Sequence, residues 1–521
     1  MFTGSETTAT ALIILVAIGV MVWGFNRARK YGKLGVLAWL QSVVLTAPWL
    51  LFFGLFAAGI YVNFVGILFL LVASAGVYIY LGKLLRNAGQ DAILQERAKK
   101  LLSEQTESSD TPSTRDEQKS ATSERQTSST NGTNPAIEVV PIPADDLKLL
   151  QGIFSIDTFY ATETIPYQEG VIFKGNMRGT DPNEVYSRLS AAVEERLGFS
   201  ETAPKQPRYR LFFVESPEGK PVVIVLPSSN DPQPATIAQK ILAVVLFVAT
   251  IATTLEAAGL LLNFDFFQNP ERFQDVLPLA AGIWTVFAAH ELGHWWQALR
   301  YKVRLSWPFF IPSWQIGSFG AITRFESLIP NRTALFDISF AGPAIGGIVS
   351  LLILIAGLVL SHQGSVFQVP AQFFQGSILV GSLARVFLGS ALKENLVDVH
   401  PLTIIGWLGL VVTALNLMPA GQLDGGRVVQ AIYGRKTARR TTIATLVVLG
   451  IVALVNPANP IVLYWAIVIL FLQRGLERPS LNEIAELNDT RAILGLLALF
   501  LMVATLIPFT PVLAVRLGIG S

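Results

Sequence analysis

Ten apolar runs and one long polar run organise this chain. Apolar residues dominate positions 8–25, 36–58, 62–82, 238–262, 277–299, 337–360, 402–418, 441–455, 460–474 and 490–508. Bilayer hydrocarbon about 30 Å thick calls for roughly 20 apolar residues per helical span, so the pattern predicts an α-helical polytopic membrane protein with about 8–10 transmembrane helices. Several runs are short for a full crossing, which leaves the count open by one or two. The polar run, "SEQTESSDTPSTRDEQKSATSERQTSSTNGTN" at 103–134, has almost nothing to bury and reads as a disordered tether.

Between the tether and the later apolar runs the periodicity changes. "YRLFFVESPEGKPVVIVLP" gives two β-rich runs around a Pro/Gly turn, and "GVIFKGNMRGT" gives another strand. "NEVYSRLSAAVEERLG" has helical spacing and a closing glycine. The expected organisation is N-terminal transmembrane helices at 1–85, a linker at 86–135, a small soluble α/β domain at 136–235 and a membrane core at 236–515. The soluble domain offers no catalytic set of its own.

Composition agrees with a membrane protein: 51% of residues are hydrophobic, 15% are charged, and the mean hydropathy is +0.50. The absence of cysteine excludes disulfides and thiolate chemistry, and leaves His, Asp, Glu and neutral oxygens as possible metal ligands. A net charge of +2 gives no argument for nucleic-acid binding. Basic clusters fix an expected orientation: Arg27, Arg29, Lys30 and Lys33; Arg300, Lys302 and Arg304; and Arg427, Arg435, Lys436, Arg439 and Arg440. With ten crossings all three fall on one side, so that side and the soluble domain are cytoplasmic and both termini lie outside. Glu6 precedes the first span and "NRARK" follows it, so it reads as a retained anchor with no leader marked for removal.

Two of the chain's four histidines lie in "AAHELGHWWQAL", at 288–299. On a helix His290 and His294 share one face and can offer ring nitrogens to a single ion, for which zinc is suited. Glu291 points partly to the same face, where it can act as general base toward a metal-activated water. The alternative is a pair of core histidines bonded to their neighbours. Against it, chance gives such a match on the order of once in a thousand, and an intramembrane His-Glu-His group is expensive without a use. Gly293 suits close helix packing, and Trp295 and Trp296 suit the membrane interface.

A catalytic zinc usually takes three protein ligands. The best third candidate is Asp424 in "NLMPAGQLDGGR", where Pro419 and Gly421 break an apolar run. Broken backbone at membrane depth suits a wet, protein-lined cavity, although the same segment alone also reads as an ordinary helix end.

These elements together resemble the site-2 protease (M50) family of intramembrane zinc metalloproteases: HELGH in one span, and N-x-x-P-x-x-x-x-D-G in a later one. With "GNMR" at 175–178 ahead of HELGH, the chain is most similar to the EGY-type branch of chloroplasts and cyanobacteria, whose motif is usually GNLR. The likeness covers roughly 140–510, including "SFGAIT" and "AGPAIGG". It implies one Zn2+ per chain held by His290, His294 and Asp424, with Glu291 as general base, and a thylakoid or plasma membrane. It also implies that Asn416 hydrogen-bonds substrate or the reacting carbonyl; capping of an unwound helix is the other reading. No dedicated oxyanion donor is visible, so the metal carries that role.

The implied function is hydrolysis of peptide bonds in a membrane protein substrate with a transmembrane helix, near the cytoplasmic face, within the lipid bilayer. Such a helix must unwind before attack. "GSFGAITRF", with Gly320, Ala321 and Ile322, could pair with the unwound segment as an edge strand, or could be a re-entrant loop that only plugs the site. Glu256, in an apolar run, suits a gate or polar contact, or lies near the outer interface. His362 and His400 lack ligand spacing and receive no role. Two other classes compete: a zinc-binding membrane transporter, and a catalytically silent membrane scaffold. The transporter gives no joint reason for Glu291 and the broken segment, and the scaffold none for keeping a base.

Overall fold

A computed structural model describes residues 142–520 except 168, 200–206, 217, 314–315, 457–459 and 471–474, together with pieces of 22–44 and 73–85. The tether and most of the first three expected spans lie outside the described residues. The chain divides into two compact units, Met1–Thr133 and Asn134–Ser521. In the first, Leu34–Val44 and Gly76–Leu85 are helical. Gln41 Nε2 donates to the Tyr78 carbonyl there, at 3.4 Å.

The second unit begins with the soluble domain. Helix α1 (Ala144–Gln151) precedes strands β1 (Phe159–Tyr167) and β2 (Gly170–Met177), helix α2 (Pro182–Leu197), and strands β3 (Tyr209–Glu215) and β4 (Pro221–Pro227). The antiparallel sheet has the order β1-β2-β4-β3. Helix α2 is specified locally: Asp181 caps it by accepting from the Asn183 amide, Pro182 opens it, and Gly198 closes it at φ 65°. Val185, Leu189, Val193 and Leu197 recur every four residues and bury against Phe159, Phe173, Phe213 and Val223.

Five helices among the described residues are long and apolar enough to cross a membrane. Four are α3 (Ile237–Leu261), α4 (Phe273–Arg300), α5 (Arg332–Leu360) and, after further elements, the helix Asp489–Leu506; the fifth is Asp424–Val455. Helix α4 buries Ile283, Val286, Phe287, His290, Gly293, His294 and Ala298, one stripe at helical spacing. The motif histidines therefore continue the stripe that faces the core. Leu292, Trp295, Trp296 and Leu299 on the opposite face are more than half exposed, as lipid-facing residues should be.

Between α4 and α5 the broken apolar stretch forms a hairpin, β5 (Phe309–Ser313) and β6 (Gly317–Ile322), with a register shift between Phe310 and Pro312. Beyond α5, strand β7 (Phe367–Pro370), helix α6 (Ile378–Leu388) and strand β8 (Leu396–Val399) precede α7 (Pro401–Asn416). His400 caps α7 by accepting from the Leu402 amide. At 16 residues α7 is only about 24 Å long, short of a full crossing. The expected span at 441–455 is the second half of a longer helix, α8 (Asp424–Val455), interrupted at Gly434, where φ is 79°. Helices α9 (Pro460–Val468), α10 (Asp489–Leu506) and α11 (Pro511–Arg516) complete the unit.

Glu256 is 1% exposed and accepts from the Phe266 amide at 3.0 Å, so it is a polar contact that anchors the loop after α3.

Candidate metal centre

Two helix faces and one helix start build the site. His290 and His294 project from the buried stripe of α4, while Asp424 is the first residue of α8. The return from α7 is tight: Gly421 has φ 53°, and a Cβ at Gly425 would collide with the Leu417 carbonyl. The sequence D-G-G is therefore what lets the chain fold back and present Asp424 to α4. Facing the histidines is α5. A Cβ at Gly342 would run into His294 Nε2, and one at Gly346 would sit 3.0 Å from the His290 Cβ. The "AGPAIGG" stretch thus supplies room for two imidazoles, and Gly293 approaches the Ala341 carbonyl for the same reason.

Three ligand-type atoms converge. His290 Nε2 and His294 Nε2 are 3.1 Å apart, and they lie 3.2 and 3.3 Å from Asp424 Oδ2. His294 Nδ1 is 2.8 Å from the Ile338 carbonyl. That contact requires Nδ1 to carry the proton, so in the neutral ring Nε2 presents a lone pair to the centre. Zinc bound at about 2.0–2.1 Å in tetrahedral geometry places its ligand atoms about 3.3 Å apart. The observed separations match that spacing, so the residues fit the ion that the pattern implies.

Glu291 is not among the converging atoms and keeps its carboxylate half-buried beside them, accepting from Thr323 Oγ1 at 2.8 Å. A cavity of 620 Å³ adjoins this group. Glu291, His294 and Thr323 line one part of it, and the apolar residues Val244, Phe247, Trp284, Leu292 and Trp295 line another. Asn416, buried at the end of α7, donates to the Val412 carbonyl at 3.0 Å and packs against Gly320, whose lack of a side chain leaves space for its amide. Ala321 and Ile322 lie on the same strand, paired with Phe310 and Phe309 of β5.

Arg427, counted above as a flanking charge that marks the cytoplasmic side, is 6% exposed and paired with Glu477. Counting charges treats every arginine as solvated, and the burial of this one depends on a partner 50 residues away. Thr323 was not singled out in the sequence at all; its position immediately after "SFGAI" was the available signal.

Comparison with known proteins gives the family context. A family model described as peptidase family M50 matches residues 278–456, and one described as the EGY3 middle domain matches 148–234. The chain is 37% identical over 378 residues to "Probable zinc metalloprotease EGY2, chloroplastic" of Arabidopsis thaliana, covering 71% of this chain and 66% of the relative. It is 35% identical over 416 residues to "Probable zinc metalloprotease EGY1, chloroplastic" of the same plant, covering 73% and 74%. It is 33% identical to the EGY1 protein of Oryza sativa subsp. japonica, covering 72% and 70%. The match spans about two thirds of the first relative and somewhat more of the others. No solved structure matches the chain.

Proposed function

The chain belongs to peptidase family M50, and we propose that it is an intramembrane zinc metalloendopeptidase of the site-2 protease type, cutting membrane-spanning substrates near the cytoplasmic face. The observation that carries this reading is the convergence of His290, His294 and Asp424 at zinc-ligand spacing, with a carboxylate beside them that is not a ligand. Zinc held by these three residues supplies Lewis acidity, acidifying water and stabilising charge that develops on the carbonyl oxygen. Glu291 takes a proton from the attacking water and delivers it to the leaving nitrogen, so that one carboxylate serves first as base and then as acid. Its Oε2 accepts from Thr323, which leaves the other oxygen to receive the proton.

The almost wholly apolar lining of the 620 Å³ cavity supports a membrane-embedded substrate. Its apolar lining includes Val244, Leu292 and Trp295, whose exposure suits contact with lipid, and its polar part reaches Glu291 and His294. Peptide bonds in a helix are shielded by their own hydrogen bonds, so the substrate must be held extended. Among the described residues strand β6 is paired with β5 alone, and its Gly320, Ala321 and Ile322 would take the unwound segment by strand addition, with Asn416 adjoining Gly320 as a polar contact. Arg300, Lys302 and Arg304 after α4 support a cytoplasmic side for the soluble domain and the metal-proximal end, in a plasma or thylakoid membrane.

The test is zinc content and cleavage measured on the same purified chains. The unaltered protein and Glu291→Gln should each hold about one zinc, with cleavage reduced at least 100-fold in the variant, as expected for loss of a general base. Asp424→Ala should lose zinc, and Ala321→Pro should keep zinc but cleave poorly. Full zinc in Asp424→Ala would remove the third ligand and the reading with it, and unaltered cleavage by Ala321→Pro would remove strand addition.

A further inference from the structure

A second buried ion pair lies beside the ligands, and holding a metal does not require it. Arg427 and Glu477 are 6% and 7% exposed, and Arg427 Nε and Nη2 each lie 3.0 Å from Glu477 Oε2. Burying two charges is costly, and apolar residues of the same volume often serve stability as well, so the other contacts of the pair bear on why it is there. Arg427 Nη2 donates to the Thr323 carbonyl at 2.9 Å, its guanidinium lies 4.8 Å from the centre of the Phe325 ring, and Nη1 lies 4.0 Å from Asp424 Oδ1. Arginine thus grips residues 323–325 through one backbone oxygen and one ring. Thr323 in turn donates its hydroxyl to Glu291 Oε2 at 2.8 Å.

Glu477 is itself fixed. Its backbone carbonyl accepts from Gln430 Nε2 and Arg435 Nη1. A few residues on, the chain makes a single parallel bridge to β3: the Phe213 amide donates to the Leu481 carbonyl at 2.7 Å, and the Glu483 amide to the Phe213 carbonyl at 2.8 Å. The arginine clamp is therefore held by a segment that is pinned both to α8 and to the soluble sheet.

We infer that Thr323 is a positioning residue for the carboxylate of Glu291, kept in register by the Arg427–Glu477 pair. The inference rests on the protease reading for its catalytic consequence, but not for the hydrogen bond itself. A glutamate side chain has several torsions to fix, and among the described residues the Thr323 hydroxyl is the side-chain hydrogen-bond partner of this carboxylate. With Oε2 held, the remaining oxygen keeps one direction toward the cavity. Without that bond the carboxylate samples other rotamers, and fewer encounters with substrate find the base in place.

Thr323→Val removes the hydroxyl at nearly constant shape, and Thr323→Ser keeps it. In metal-free protein, the infrared carboxylate band of Glu291, identified by its loss in Glu291→Gln, should shift in Thr323→Val and return in Thr323→Ser. The double variant Arg427→Met with Glu477→Met, which removes both partners of the buried pair, should move the same band. In zinc-loaded protein, Thr323→Val should keep about one zinc and lose about tenfold in kcat with KM unchanged, the loss expected of one hydrogen bond to a charged group, and Thr323→Ser should recover it. An unmoved band in Thr323→Val overturns the inference. So does a raised KM with unchanged kcat, which assigns Thr323 to substrate binding, and so does loss of zinc, which assigns it to the architecture of the metal centre. Should the unaltered chain cleave nothing while the band follows the hydroxyl, the positioning contact stands and the protease reading alone falls.

Discussion

Two buried clusters of polar side chains can be set side by side, one in the soluble domain and one among the membrane helices. In the first, Asp146 accepts from Tyr209 Oη at 2.7 Å and from the Arg208 guanidinium at 3.0 Å, so donors meet acceptors and the set is closed. In the second, two ring nitrogens and a carboxylate oxygen converge within 3.3 Å, and His294 commits its one proton outward to Ile338. With His290 in the same tautomer as His294, three lone pairs face one another, which is unfavourable unless something positive lies between them. The difference separates a structural cluster from a binding one more sharply than burial does, because Asp146 and Asp424 are almost equally buried at 7% and 8%.

The largest effect that can sharpen this contrast comes from a residue with no polar atom in its side chain. Gly342 leaves the space that His294 occupies, and Ala at that position would drive a Cβ into the imidazole. Since both lie on packed helices, the ring has to move off the centre. Gly342→Ala should weaken zinc binding by on the order of 10–100-fold, the range seen when ligand orientation is disturbed. Competition titration against a chelator reads this directly, and wild-type affinity would show that the ring is not held where the geometry puts it. Asp146→Ala is the matching change in the closed cluster. It leaves the buried Tyr209 hydroxyl without its acceptor and should cost about 1–3 kcal/mol of local stability. Hydrogen exchange across residues 142–231 should speed up while zinc content stays the same. Altered zinc content would mean that the two clusters are coupled and cannot be compared as independent.

What was legible in the sequence follows from how local each signal is. Helix α2 is written in four neighbouring signs, Asp181, Pro182, its spacing of apolar residues and Gly198, and the β3–β4 hairpin in two runs with a turn between them. His290 and His294 are legible because one helical turn separates them. Asp424 is legible because a broken apolar run is unusual, although its distance from His290 becomes a fact only when α7 and α8 fold back on one another. Helix α8 was read short because Arg435–Arg440 look like a loop, and a helix interrupted at Gly434 can carry them. The β7–β8 pair joins residues some 30 positions apart, and no local pattern announces it. Arg427 and Thr323 escaped for a related reason: their roles lie in partners, Glu477 and Glu291, that sequence spacing does not connect.

The smallest effect tests whether the soluble cluster is closed in the sense argued. Burial, together with the hydrogen bond to Asp146 and its negative charge, pushes the Tyr209 phenol up to about 12 from its usual value near 10. The sign follows from proton counts. Between pH 10 and 12 the folded chain keeps this proton and the unfolded chain has lost it, so the stability it contributes is present below about pH 10 and disappears as pH rises through about 12. Many lysines and other tyrosines titrate in the same window, so the informative quantity is the difference between the unaltered chain and Tyr209→Phe. Exchange rates in residues 142–231 should rise more steeply above pH 10 in the unaltered chain than in the variant, after correction for the intrinsic pH dependence of exchange. Parallel curves would show that Tyr209 ionises freely, that the cluster is wet, and that the metal centre would have to be recognised by its lone pairs alone.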